Sequence, residues 1–138
     1  LTPNTQYILY ITDTESDFSD SISFRISQNN NFQINIDANN GETDIDFTTP
    51  ATIGRHKLAL VYDGTGDNRV YLDGTLIEKS VDLFEFSNTL STIFLGSLGE
   101  YGFGSISNIV NHFDNYILSY AFSKEPLSDE KVERLTSI

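Results

Sequence analysis

The chain has 138 residues, contains neither cysteine nor methionine, and carries a formal net charge of −12. Without cysteine, the protein has no disulfides, no thiol catalysis and no thiolate metal sites. The negative charge disfavours nucleic acid and anionic membranes as partners, because their phosphate groups would be repelled. No stretch approaches the roughly 20 apolar residues of a membrane span. We therefore predict no nucleic-acid binding and no membrane insertion.

The length is that of one domain large enough to bury a core, and we predict a single domain over residues 1–138. A chain that starts at Leu1 and lacks methionine is expected to be a piece cut from a longer protein.

The N-terminal third predicts antiparallel strands. Residues 7–11 (YILYI) are continuously apolar, as expected for a strand covered on both faces. Residues 22–26 and 32–36 alternate between apolar and polar side chains, which predicts half-buried strands with one polar face. Asn40-Gly41 is a hairpin signal that precedes a further short strand.

The strongest hairpin signal lies in residues 56–78, where Asp73-Gly74 separates two apolar runs. Both central residues of a type I′ turn need a positive φ, which Asp and Gly tolerate. Residues 58–62 (LALVY) lack a polar face, and we predict this strand in the middle of a sheet, between two layers.

The remaining segments predict further strands and one helix. Residues 81–86 are a strand or an extended loop, 92–95 and 113–118 are strands, and 96–105, with four glycines, is a loop. A short helix is expected after Ser128 as N-cap, with Leu127 stapled onto Val132, and with Val132 and Leu135 as its apolar face.

Nine or ten short strands at roughly ten-residue spacing, joined by polar turns, are typical of sandwiches and jelly rolls. We predict an all-β fold, a two-sheet antiparallel jelly-roll sandwich with one short C-terminal helix.

Two blocks of the sequence carry a family resemblance. The first is RHKLALVYDG at 55–64 with RVYLDG at 69–74, and the second is FDNYIL at 113–118 with YAFS at 120–123 and LSDE at 127–130. Together they resemble the laminin-G-like jelly roll of the concanavalin A-like lectin/glucanase superfamily, although Arg55 stands where that family has tryptophan. The resemblance implies a jelly roll that binds glycans or proteins, often with calcium, at loops on one edge.

The acidic residues do not predict catalysis. Glucanases of the superfamily use a Glu-x-Asp-x-Glu strand, because a retaining mechanism needs two carboxylates about 5–5.5 Å apart; the acids here never take that form. Only His56 and His112 could act as a base, and no Gly-x-Ser-x-Gly turn displays a serine. We predict that the protein is not an enzyme and that His56 is structural.

Calcium is the one cofactor that the sequence suggests, because a hard cation takes six to eight oxygen ligands from carboxylates and carbonyls in loops. The first candidate cluster comprises Asp13, Glu15, Asp17 and Asp20. The second comprises Asp63, Asp67 and Asn68, where a hairpin turn alone would also explain the residue types.

A glycan site pairs an aromatic platform with amide and carboxylate groups that reach sugar hydroxyls. The chain has no tryptophan, and Tyr101 and Phe103, isolated between glycines, are the best aromatic candidates. Glu100 and Asn108 are the candidate polar contacts. The alternative for Phe103 is that it plugs the end of the sandwich.

We therefore predict a non-catalytic recognition or adhesion module that binds a glycan or a surface-protein receptor. Its expected place is within a larger extracellular, cell-surface or virion-surface protein. The alternative is a structural decoration or oligomerisation domain of a phage particle or tail, whose partners are neighbouring subunits.

Overall fold

The computed structural model describes residues 5–13, 20–38, 41–62, 66–80, 84–102, 105–110, 113–114, 117–123 and 125–138. Of residues 41–49, 80, 98–102 and 105–110 it describes the backbone only.

The described residues form antiparallel strands and one short helix, which confirms the predicted all-β class. The strands are β1 (Gln6–Thr12), β2 (Ser21–Ile26), β3 (Asn31–Ala38), β4 (Gly41–Pro50), β5 (Leu58–Val61), β6 (Asn68–Leu72), β7 (Thr75–Ser80), β8 (Thr92–Leu95), β9 (Leu98–Gly102) and β10 (Ser105–Val110). The helix, α1, spans Asp129–Thr136. No helix in the described parts of the chain is long and apolar enough to cross a membrane.

The chain divides into two compact units. The first unit, residues 1–51 and 85–119, holds a five-stranded sheet in the order β4-β3-β2-β1-β8 and the hairpin β9-β10. The second unit, residues 52–84 and 120–138, holds a three-stranded sheet in the order β5-β6-β7 and α1.

In the first unit, β3 is covered on both faces. Ile34 and Ile36 are fully buried on the apolar face, as the alternation predicts. The opposite face differs from the prediction, because Ser23, Gln33 and Asn35 are buried as well. The register accounts for Ser23 and Asn35: Tyr10 on β1 pairs with Ser23 on β2, and Ser23 pairs with Asn35, so a large ring stands in the same row as these smaller side chains.

Tyr10 also packs against two other aromatic residues of this sheet. Tyr10 makes an edge-to-face contact with Tyr7, with ring centroids 5.7 Å apart, and a tilted contact with Phe94 of β8 at 6.1 Å. Burial raises the pKa of the Tyr10 hydroxyl.

In the second unit the central strand is β6, whose Val70, Tyr71 and Leu72 are buried. The prediction that LALVY lies mid-sheet is wrong, because β5 is an edge strand of the described sheet. The pairing of β6 with both β5 and β7 gives β6 the central place, since the Asp73-Gly74 turn folds β7 onto its far side.

The Asp73-Gly74 turn has the predicted geometry, with φ of +51° at Asp73 and +81° at Gly74. Two other predictions are wrong. Residues 98–102, expected as part of a loop, form β9, because pairing with β10 satisfies the backbone of this glycine-rich segment. The described residues of 113–118 form no strand, although the Phe113 amide donates to the Gly96 carbonyl.

The helix begins after Ser128, as predicted, but the Ser128 side chain makes no capping hydrogen bond. Val132 is buried with Tyr71 and Val61, and Leu127 packs against this cluster, as the staple predicts. Leu135 is exposed instead of buried. Thr136 takes its place, because its hydroxyl donates to the Val132 carbonyl at 2.8 Å and needs no water.

Candidate functional site

The hairpin β9-β10 holds three of the four residues predicted from sequence to contact a ligand. Its register places Glu100 opposite Asn108 and Tyr101 opposite Ile106, with an irregularity between Ile106 and Asn108. Bulges of this kind bend a strand and redirect its side chains. Phe103 lies outside the described residues. The backbone therefore brings Glu100 and Asn108 to paired positions, as a polar site on this hairpin would require.

An exposed aromatic pair lies in the second unit, and the sequence predictions missed it. The Tyr120 and Phe122 rings are 5.9 Å apart in an edge-to-face contact, and the two residues are 59% and 58% exposed. The segment 117–123 forms no strand that would bury them. The sequence signal for this pair is the spacing of the two aromatic residues in YAFS at 120–123. The family resemblance assigned that segment to the second block and gave it no binding role. The Tyr120–Phe122 pair is therefore an exposed aromatic surface of the second unit.

Two of the four residues predicted for the first calcium cluster are described, and both are buried. Asp13 and Asp20 are 1% and 0% exposed. Asn88 links them: its side-chain amide donates to Asp13 Oδ2 at 3.0 Å and its backbone amide donates to Asp20 Oδ2 at 2.5 Å. Glu15 and Asp17 lie outside the described residues. We call this group the Asp13–Asp20–Asn88 cluster, and Asn88 is a member that the sequence did not single out.

The second calcium candidate is engaged by cations of the protein itself. Lys79 Nζ lies 2.8 Å from one carboxylate oxygen of Asp67, and Arg69 Nε lies 3.8 Å from the other. Asp63 lies outside the described residues. In the described part of the chain, no three His, Cys, Asp or Glu side chains gather in one place. The Asp67 carboxylate therefore serves an ion-pair network on β6 and β7.

His56 is held from both sides of its ring. Its Nδ1 lies 2.7 Å from Asp73 Oδ2, and its Nε2 lies 3.1 Å from the Thr52 carbonyl and 3.2 Å from the Thr52 hydroxyl. The other Asp73 oxygen accepts from the Lys57 amide at 2.8 Å. These contacts fix the hairpin turn to the chain before β5. They support the structural role predicted for His56; His112 lies outside the described residues.

A polar group also ties α1 to the sheet of the second unit. Asp129, the first residue of the helix, pairs with Arg69 and accepts from the Tyr71 hydroxyl at 2.8 Å. The Tyr71 hydrogen bond, followed by the one from Arg69, holds the pKa of Asp129 below its ordinary value of 3.8. Burial, together with the hydrogen bond to this carboxylate, raises the pKa of Tyr71.

The family comparison identifies the class of fold. The family model described as the concanavalin A-like lectin/glucanases superfamily matches residues 1–133. The chain therefore belongs to this family, which confirms the resemblance in the sequence and the jelly-roll fold class. Among curated protein sequences, none matches the chain.

Similar solved structures support the same fold. The Ruminococcus gnavus IT-sialidase CBM40 has a TM-score of 0.62 at 15% identity over 99% of this chain and 77% of its own. The same CBM40 bound to alpha2,3 sialyllactose has a TM-score of 0.64 at 16% identity over 100% and 77%. An S-layer domain-containing protein from Clostridium thermocellum ATCC 27405 has a TM-score of 0.51 at 16% identity over 99% of this chain and 65% of its own.

Proposed function

We propose that this chain is a non-catalytic glycan-recognition module of an extracellular or cell-surface protein. The Tyr120–Phe122 pair carries the proposal, because each of these neighbouring rings is more than half exposed and can stack on a sugar ring. Membership of a lectin-like family supports it. The CBM40 with bound sialyllactose and the S-layer domain protein, as fold relatives, are consistent with glycan binding at a cell surface.

The preferred ligand is a neutral glycan. The net charge of −12 repels an anionic sugar over the range of the protein's field, most strongly at low salt. Two arginines that could offset this charge are engaged within the fold. Arg25 donates to Gln33 and to the Tyr7 hydroxyl, and Arg69 pairs with Asp129. We therefore expect selectivity to differ from that of the CBM40 that binds sialyllactose.

A glycan array probed with labelled protein tests the function. We expect binding to neutral oligosaccharides, and weaker binding to the matched sialylated ones at low ionic strength. Stronger binding to the sialylated members would overturn the ligand class and leave glycan recognition intact. No binding to any glycan would overturn the proposed function.

Substitutions then locate the site. Tyr120→Ala and Phe122→Ala should each weaken the affinity for a glycan found on the array about tenfold or more, because each removes the aromatic ring that a stacked sugar would cover. The control is Leu135→Ala, which removes an exposed apolar side chain of the same unit that lies outside the aromatic pair. Tyr101→Ala, Glu100→Gln and Asn108→Ala test the β9-β10 hairpin in parallel. An unchanged affinity in Tyr120→Ala and Phe122→Ala, with losses in the hairpin variants, would move the site to the hairpin.

Assembly with a second copy of the chain is the other candidate function, and β8 favours it. This strand is an edge of the described five-stranded sheet, and its Ile93 and Leu95 are exposed. An exposed apolar edge strand is a template for pairing with another chain. Light scattering that shows a stable oligomer, together with an array that shows no binding, would favour assembly over recognition.

A further inference from the structure

Two carboxylates of the first unit are buried without a basic partner among the described residues. Asp13 and Asp20 are 1% and 0% exposed, and the adjacent Thr12 is also fully buried. Carboxylates are almost never fully buried unless they are paired or bind a metal ion, because removing an ion from water is unfavourable. A bound cation would compensate these two charges.

The hydrogen bonds within the cluster satisfy half of the carboxylate oxygens. Asn88 donates to Oδ2 of Asp13 and to Oδ2 of Asp20, and the Asp13 amide donates to the Asp20 carbonyl at 3.3 Å. Oδ1 of Asp13 and Oδ1 of Asp20 are both buried with no hydrogen-bond partner. In each of the two carboxylates, therefore, one oxygen accepts a hydrogen bond from Asn88 and the other oxygen has no hydrogen-bond partner.

The charge of the first unit offers the carboxylates little relief. Eleven of the 20 acidic residues of the chain fall in this unit, and one of the eight lysines and arginines, Arg25, falls there with them. The Arg25 guanidinium donates to Gln33 and to the Tyr7 hydroxyl. Neither Asp13 nor Asp20 forms an ion pair with a described basic residue.

We propose that the carboxylates of Asp13 and Asp20, which Asn88 orients, bind one divalent metal ion, and that this ion is calcium. Two carboxylates supply the charge that a divalent cation neutralises, and their unpartnered oxygens supply hard ligands. Calcium accepts six to eight oxygens in flexible geometry, so carbonyl groups and water complete such a site. Zinc is disfavoured, because it prefers cysteine and histidine ligands; the chain has no cysteine, and His56 is held in the second unit.

The ion would fix the end of β1 to the start of β2 and to the segment at Asn88. Asn88 is 68 residues from Asp20 and 75 from Asp13, and its hydrogen bonds already join the three points. The bound form should thus be more stable than the metal-free form, since the ion binds the folded cluster and the unfolded chain lacks it. This inference stands whether or not the module binds glycans.

Calorimetry and thermal unfolding of chelator-treated protein test the site. We expect calcium titration to show one saturable site, and the melting temperature to rise by about 5 °C or more at 100 times Kd. Magnesium at the same ionic strength should give a smaller rise, because it gives up its water ligands reluctantly. No heat and no rise in melting temperature with calcium would overturn the proposal.

Substitutions separate metal binding from a merely structural role. Asp13→Asn and Asp20→Asn should abolish the calcium response while leaving the metal-free melting temperature unchanged or higher, because each removes an uncompensated buried charge. A structural role alone would lower the metal-free melting temperature and leave the calcium response intact, which would contradict the proposal. Asp114→Asn, an exposed change of equal charge in the same unit, is the control and should keep the response.

Asn88→Ala keeps the inference testable if the aspartate variants do not fold. It retains both carboxylates and removes the side-chain amide that orients Asp13. We expect at least about tenfold weaker calcium binding. Unchanged affinity in Asn88→Ala, or multiple weak sites that no variant alters, would show that calcium binds the acidic surface non-specifically and would overturn the assignment.

Discussion

The two units of this protein treat their charged residues differently. In the second unit, nine acidic and seven basic residues are present, and the carboxylates of Asp67, Asp73 and Asp129 meet cations or backbone amides of the same unit. In the first unit, eleven acidic residues accompany one arginine, and two of the acids are buried with unpartnered oxygens. These carboxylates of the second unit thus face basic groups or amides of their own unit, whereas Asp13 and Asp20 of the first unit have no basic partner among the described residues.

The largest expected change in the free energy of unfolding is at Asp73, in the second unit. Asp73→Ala removes the acceptor for the Lys57 amide and the partner of His56, and it places alanine at a φ of +51°. We expect a loss of about 3 kcal/mol in the free energy of unfolding, measured by urea denaturation. Asp73→Asn tolerates the positive φ and keeps one acceptor, so it should lose less. Equal losses in both variants would show that the carboxylate contacts, and not the backbone conformation, decide the effect.

The matched change in the first unit is Asp20→Asn in metal-free protein. Since it removes a buried charge and retains an acceptor for the Asn88 amide, we expect no loss in the free energy of unfolding, in contrast to Asp73→Asn. Urea denaturation in the presence of a chelator measures both. Comparable losses at the two positions would break the comparison between the units.

A smaller effect is expected from two glycines with similar backbone conformations. Gly74 and Gly96 have φ of +81° and +72°. A Cβ at Gly74 would lie 2.7 Å from Ser137 Oγ and 3.2 Å from Ser137 Cα, whereas at Gly96 the nearest atom is Ile117 Cδ1 at 3.9 Å. We expect Gly96→Ala to cost about 1 kcal/mol for the backbone strain alone, and Gly74→Ala to cost more, because it also displaces the end of α1.

Thermal or urea denaturation measures the difference in stability between Gly74→Ala and Gly96→Ala. This difference reports the contact between the Asp73-Gly74 turn and the end of α1. Lys57 supports the same contact, since its ammonium donates to the Leu135 and Ser137 carbonyls. Equal costs at Gly74 and Gly96 would mean that the helix end moves away freely.

The smallest expected effect is a pH dependence that involves Asp129. Because its folded pKa lies below the ordinary value of 3.8, the carboxylate contributes stability that is present above pH 3.8 and is lost as the pH falls through the folded pKa. Asp129→Asn should therefore be less stable than the wild type at neutral pH, and the difference should shrink in acid. Urea denaturation between pH 2 and 7 measures it. Glu130→Gln, an exposed change in the same helical turn, is the control for the loss of one negative charge at the start of the helix.

The sequence by itself determined the fold class, the Asp73-Gly74 turn and the position of the helix. Strand period and turn residues are local properties, and short-range backbone preferences translate them into structure. The helix begins after Ser128 although that side chain makes no capping hydrogen bond, and Leu127 and Val132 lie as the staple predicts. The family resemblance at residues 55–74 and 113–130 is local in the same sense, and the match over residues 1–133 confirms it.

Only the tertiary structure decided which residues meet. Nothing local marks β5 as an edge strand, because strand order depends on pairing across the sheet. The glycines of residues 96–105 predicted a loop, and a strand partner eight residues along the chain turned part of it into β9. The acids at 13–20 were visible in the sequence, yet Asn88, the residue that joins two of them, is 68 residues from Asp20. Burial and pairing arise from contacts between distant segments, so the unsatisfied carboxylates and the exposure of the Tyr120–Phe122 pair could be found only in the folded chain.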